Sequence, residues 1–88
     1  MNNLTVTIKS PDKDIFKGEA ESISSENSSG KFDVLKDHAN FITVIENKPI
    51  IIRMANKEKQ TFTFPLAIMS TTNNQVNIYT NIDIQLVK

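Results

Sequence analysis

The sequence predicts an all-β domain, an antiparallel β-sandwich or flattened barrel of about eight to ten short strands. Three observations predict it. Apolar and polar residues alternate with a period of two through most of the chain, as in LTVTIK and VNIYTNIDIQLVK. Clusters rich in Ser, Asn, Asp, Pro and Lys (SPDKD, SENSSG, NKEKQ, STTNNQ) separate the alternating runs. No segment carries the sustained i, i+3, i+4, i+7 apolar stripe of a surface helix.

The elements follow in order. Leu4, Val6 and Ile8 face one way and Thr5, Thr7 and Lys9 the other, which makes a half-buried strand. Pro11 and Asp12 then take turn positions. Ile15 and Phe16 restart apolar sequence and Gly18 interrupts it. EAESIS alternates Ala20, Ser22 and Ser24 against Glu19, Glu21 and Ile23, and SENSSG turns the chain. KFDVLK and FITVIE read as short strands, the second rich in the β-branched residues strands favour. IIIRMA after the NKP turn reads as a strand buried on both faces, and NKEKQ as a charged hairpin tip. Phe62 and Phe64 alternate inward until Pro65, which cannot donate to a ladder and predicts an edge or bulge. The last run alternates Val76, Ile78, Thr80, Ile82, Ile84 and Leu86.

Eighty-eight residues make a single domain over residues 1–88. Ten acidic and ten basic side chains cancel, so net charge gives no reason to seek nucleic acid or an anionic membrane. The absence of cysteine removes disulfides, thiolate metal sites and a cysteine nucleophile. MNNLTVTIKS lacks the basic and apolar regions of a secretory leader. No apolar run approaches the roughly 20 residues that span a bilayer, so direct membrane insertion is not expected.

Catalytic patterns are equally sparse. A hydrolytic triad needs a histidine between nucleophile and acid, and His38 is the one histidine. Asp37, adjacent to it, points elsewhere on an extended chain. SENSSGK fails the phosphate-loop pattern, with Ser25 at the first glycine and Phe32 at the magnesium-binding hydroxyl. One histidine among scattered carboxylates is too little for a metal site. The five phenylalanines fall mainly at inward positions and Glu58 splits the Lys57–Lys59 pair, so no stacked, basic single-strand groove is indicated. The reading is a protein that is not an enzyme and needs no cofactor.

The order of the motifs resembles the β-sandwich of the epsilon subunit of F-type ATP synthases, called delta in mitochondria. That family runs a strand, a Ser/Thr-Pro turn, an apolar pair and then Gly, here KSPDKDIFKGEAESI. It continues with Gly-Glu-Phe/Leu-Gly, two apolar residues and Pro-Gly-His-Ala-Pro, here GKFDVLKDHANFIT. Gly30, Phe32, Val34, Leu35, His38, Ala39 and Thr43 fall in register, and Arg53 and Asn74–Asp83 continue the likeness. Asp33 stands where the family has a glycine, Lys36-Asp37 where it has Pro-Gly, and Asn40 where it has a proline. Losing glycines removes the need for positive φ there, so different turns are expected.

The resemblance implies a non-catalytic central-stalk subunit, peripheral on the cytoplasmic face of the membrane or the matrix or stroma side of an organelle. It implies binding to the gamma subunit and to the membrane rotor ring, and only indirect contact with the catalytic alpha/beta hexamer. The loop Ser28, Ser29, Gly30 and Lys31 would face the ring, with Lys31 in place of the common acidic residue. His38, Ala39 and Asn40 would lie against gamma or the ring. Phe16, Phe32, Val34 and Leu35 would anchor the core. The family's two-helix C-terminal brake is not expected, because strand-like IDIQLVK stands where it would begin. Two alternatives stay open: an epsilon-like subunit of a specialised F-type-related ATPase, and a stand-alone β-barrel binding a small ligand or oligonucleotide.

Overall fold

The computed structural model describes residues 3–80. They form nine strands: β1 (Leu4–Lys9), β2 (Asp14–Ala20), β3 (Ser22–Asn27), β4 (Gly30–Leu35), β5 (Phe41–Ile45), β6 (Pro49–Arg53), β7 (Lys59–Thr63), β8 (Ala67–Thr72) and β9 (Gln75–Thr80). No helix occurs among the described residues. A five-stranded sheet, β2-β1-β9-β8-β5, packs on a four-stranded one, β4-β3-β6-β7. All pairings are antiparallel except β1 with β9. A parallel pair needs a long crossover. Here the seven intervening strands supply it.

The period-two alternation builds the core between the sheets. Val6 pairs with Val76 and Ile8 with Ile78, and Met69 pairs with Ile78 from the other side. These residues are buried, as are Ile23, Val34, Ile50 and Ile52 of the facing sheet. An edge-to-face phenylalanine pair closes each side of the sandwich. Phe16 of β2 meets Phe62 of β7, and Phe32 of β4 meets Phe41 of β5, both at 5.8 Å between ring centroids. Each pair contributes about 0.5–1.5 kcal/mol beyond area burial. The Phe16-x-Gly18 spacing has a packing reason. A Cβ at Gly18 would stand 3.3 Å from the Phe16 ring, on the same strand face.

Several expectations are corrected. Leu35 is 54% exposed and does not anchor the core. It follows buried Val34 on one strand, so the pleat turns it outward. Phe16 and Phe32 are partly buried and pack against the core. EAESIS is not one strand. The chain changes sheets at Glu21, whose N–H donates to the Arg53 carbonyl, and both Ser22 and Ile23 are buried beyond that corner. The IIIRMA strand ends at Arg53 and buries Ile50 and Ile52 while Ile51 is half-buried. Pro65 lies between β7 and β8, outside any ladder. The alternation of Ile82, Ile84 and Leu86, and the expectation about a helical brake, concern residues outside the described ones.

Candidate functional site

The stretch from Gly30 to Thr43 contributes a strand, a corner and an edge strand. Asn27 and Gly30 pair across the turn made by Ser28 and Ser29. Both serines and Lys31 are exposed. Asn27 Oδ1 accepts the Ser29 N–H at 2.8 Å. Gly30 has φ +127 with open space where a Cβ would be, so the backbone and not crowding selects glycine.

The corner after β4 is clasped to the β8–β9 hairpin. The Asp37 N–H donates to Asn74 Oδ1 at 2.6 Å, and Asn74 Nδ2 returns a bond to Asp37 Oδ1 at 3.3 Å. The Asn73 N–H donates to Asn40 Oδ1 at 3.1 Å. Asp37 has φ 66, Asn73 φ 49 and Asn74 φ 65. The loss of glycine was expected to remove positive φ from this corner, and at Asp37 it does not. Aspartate and asparagine tolerate the left-handed region better than other non-glycine residues. The clasp holds Asp37 there. The Asn74 amide bond, then Lys36 at 3.3 Å, hold the Asp37 carboxyl below its ordinary range.

His38 caps an aromatic column. Its ring lies 4.8 Å from Phe41, which meets Phe32 edge-on. Its N–H donates to the Leu35 carbonyl at 3.1 Å. Its Nδ1 is 2.7 Å from the Ala39 carbonyl oxygen, which can only accept, so Nδ1 carries the proton. This is a histidine held in place by a tilted ring contact and by hydrogen bonds to backbone carbonyls. Ala39 and Asn40 are exposed beside it.

Next to this corner lies a surface that the strand assignments alone did not single out. Alternation turns Ile42 and Val44 outward from edge strand β5, 72% and 48% exposed. Val44 pairs with Ile68 and Ile68 with Tyr79, so one apolar row crosses three strands and ends at Lys9 of β1. FITVIE did contain the signal, because its apolar residues fall on both strand faces. The contribution of Asn73 and Asn74 had no local signal, since Asn74 stands 37 residues from Asp37.

Other features are modest. Among the described residues no three His, Cys, Asp or Glu side chains gather as metal ligands. No helix there is long and apolar enough to cross a membrane. A hollow of about 310 Å³ opens on the four-stranded sheet, where β3 and β6 stop pairing after Ser24 and Ile51. It is lined by Ser24, Glu26, Lys31, Asp33 and Ile51 among others, which mixes both charges.

Comparison with known proteins gives the surface a context. The family profile described as the ATP synthase delta/epsilon chain β-sandwich domain matches residues 3–84. The chain is 32% identical over 72 residues to an ATP synthase epsilon chain of Clostridium botulinum, covering 82% of this chain and 54% of the relative. It is 33% identical over 78 residues to that of Endomicrobium trichonymphae, covering 89% and 56%. The chain therefore spans about half the length of the curated relatives it matches. In fold it is similar to a chain of the Euglena gracilis mitochondrial ATP synthase, solved with OSCP, F1 and c-ring. The TM-score is 0.83 at 15% identity, over 91% of this chain and 51% of that one. It is similar also to a chain of the Tetrahymena thermophila central stalk and c-ring. There the TM-score is 0.73 at 12% identity, over 97% and 73%.

Proposed function

From the premise that this chain belongs to the ATP synthase delta/epsilon β-sandwich family, we propose that it is a non-catalytic subunit of the central stalk of a rotary F-type ATPase. It binds the gamma subunit and the membrane rotor ring and transmits torque between them. ATP chemistry occurs on the alpha/beta hexamer, which it touches only indirectly. Its place is peripheral, on the membrane face that carries the catalytic head.

The match to the family across the whole sandwich carries the reading. The geometry supports a division of labour within it. The outer face of the five-stranded sheet, with Ile42, Val44, Ile68 and Tyr79 beside the His38–Asn40 corner, suits a gamma helix packed on an apolar strip. The exposed turn of Ser28, Ser29, Gly30 and Lys31 suits the polar loops of the ring. A sandwich locked by two sheets and two phenylalanine pairs resists shear, as a torque-bearing part must.

The test is a tagged pull-down of the chain from its own cells in mild salt, with co-purifying proteins identified by mass. Recovery of gamma, the catalytic subunits and ring subunits is expected. Gamma and hexamer with an unusual ring, or none, would indicate a specialised ATPase. Recovery of the chain alone would overturn the reading.

A further inference from the structure

The Ser28–Ser29 turn and strand β5 belong to different sheets, yet one side chain holds both. Asn27 closes β3, and its Oδ1 fixes the turn through the Ser29 N–H at 2.8 Å. Its Nδ2 donates to Thr43 Oγ1 at 2.9 Å, across to the edge of the five-stranded sheet. Thr43 stands between Ile42 and Val44, the two apolar residues that β5 turns outward. A cleft of about 160 Å³ separates the two elements, with Glu26, Asn27 and Ser28 on one wall and Val44, Glu46 and Lys48 on the other. Across it the Lys48–Glu26 ion pair is long, 4.0 Å, and partly exposed, so solvent screens it. The Asn27–Thr43 bond is the shorter and better-shielded bridge.

We infer that Asn27 is a positioning residue that sets the ring-facing turn in register with the gamma-facing strand. The inference rests on the function proposed above and adds a device to it. The amide can do both at once, accepting from Ser29 and donating to Thr43. Partner loads on the two surfaces then meet through one side chain and not only through the distant core. The link does not require asparagine as such. Aspartate keeps the acceptor for Ser29, and the Thr43 hydroxyl can rotate to donate to its second oxygen. Valine at position 43 keeps the shape and removes the link. Alanine at position 27 removes both bonds.

The variants Thr43→Val, Asn27→Asp, Asn27→Ala and Asn27→Asp/Thr43→Val of the full 88-residue chain test this in two ways. Hydrogen exchange at the Ser29 amide reads the bracket without any partner. Thr43→Val should speed that exchange by about two- to tenfold, the scale of one hydrogen bond, while Asn27→Asp leaves it near wild type. Binding is then measured to the ring-free gamma-containing catalytic complex and to the same complex with its ring in membranes. Thr43→Val should weaken only the second, by about two- to tenfold, and Asn27→Asp/Thr43→Val should weaken it likewise, because neither keeps the Thr43 hydroxyl. Unchanged Ser29 exchange in Thr43→Val, or equal loss of both bindings, overturns the inference. A wild-type chain that binds neither complex overturns the proposed function itself, and the coupling with it.

Discussion

The two sheets are built alike on the inside and differ on the outside. Inward, each follows the same rule of alternate apolar residues, buried to near zero exposure. Outward, the four-stranded sheet sets Asp33 beside Ser24 and Ser22 beside Arg53. Those side chains satisfy one another, with Ser24 Oγ donating to Asp33 Oδ1 and Arg53 Nη1 to Ser22 Oγ. Leu35 and Ile51 are apolar on that face but lie in different cross-strand rows. The five-stranded sheet instead carries the continuous row Val44, Ile68, Tyr79, with Ile42 beside it. Folding requires the inward set only. An exposed apolar edge strand invites association, and proteins that tolerate one ordinarily cover it. The outer face of β5 is thus better explained by docking than by folding.

The largest expected effect would break or establish this contrast. Ile42→Lys with Val44→Lys should weaken binding to the gamma-containing complex by about 100-fold or more, because desolvated apolar anchors dominate interfaces. The same pair should leave stability in urea within about 0.5 kcal/mol, since both side chains already face solvent. Ser24→Ala with Arg53→Ala on the opposite face should do the reverse. Affinity should hold while stability falls by about 1 kcal/mol, the worth of the lost bonds. If both faces cost the same affinity, the contrast has no functional meaning.

Second in size is the clasp at the rim of the apolar face. Asn74→Ala loses the bonds to Asp37 and places alanine at positive φ. The expected cost is about 2 kcal/mol. Asn74→Gly keeps the backbone at ease and loses only the bonds, so about 1 kcal/mol is expected. Urea midpoints separate the two terms. A fall in gamma affinity alongside, with Ile42 and Val44 intact, would extend the docking surface to the His38 corner. Unchanged affinity would confine it to the strands.

How much of this was legible in the sequence follows from the range of the forces involved. The inward rows of β1 and β9 were legible, because Leu4, Val6, Ile8, Val76, Ile78 and Thr80 need only a period of two. The strands on either side of the Lys36–Asn40 corner were legible, because KFDVLK and FITVIE each read as a short strand. Leu35 was misplaced because Val34-Leu35 is an apolar pair and a strand accepts only one of the two inside. Glu21 as the point of sheet change had no local mark, since its partner is the carbonyl of Arg53. The clasp was invisible for the same reason, and with aspartate's own tolerance of the left-handed region it explains how Asp37 occupies a backbone region suited to glycine. Period and turn chemistry act within a few residues, whereas clasps and brackets depend on which strands the topology brings together.

A smaller effect lies beneath the apolar face. Thr71 is buried on the inward side of β8, and its Oγ1 has no hydrogen-bond partner among the described residues. Thr71→Val replaces the hydroxyl with a methyl of similar size and should raise stability by about 1 kcal/mol. Docking should not change, because the outer row is untouched. A gain in stability with constant affinity would sharpen the contrast between what folds the sheet and what the sheet displays. A loss of stability would mean that the hydroxyl is satisfied by water.

The smallest expected effect is a pH dependence confined to the corner. The Asn74 amide, followed by Lys36, holds the folded Asp37 carboxyl below its ordinary range. A depressed folded value means that the ionised form stabilises the native state. That contribution is complete above the pKa of an unfolded aspartate, about 3.9. It is lost as pH falls through the lower folded value. Wild type should therefore show an acid-dependent loss of stability below about pH 4 that Asp37→Asn reduces. Asn74→Gly should reduce it too, by returning the carboxyl toward its ordinary range. The polar face provides the control: Asp33→Asn, away from the clasp, should leave this part of the pH profile in place. Melting curves from pH 2 to pH 7 on the four proteins would decide it. An identical acid limb in wild type and Asn74→Gly would remove the charge from the account of the corner and leave the clasp as hydrogen bonds alone.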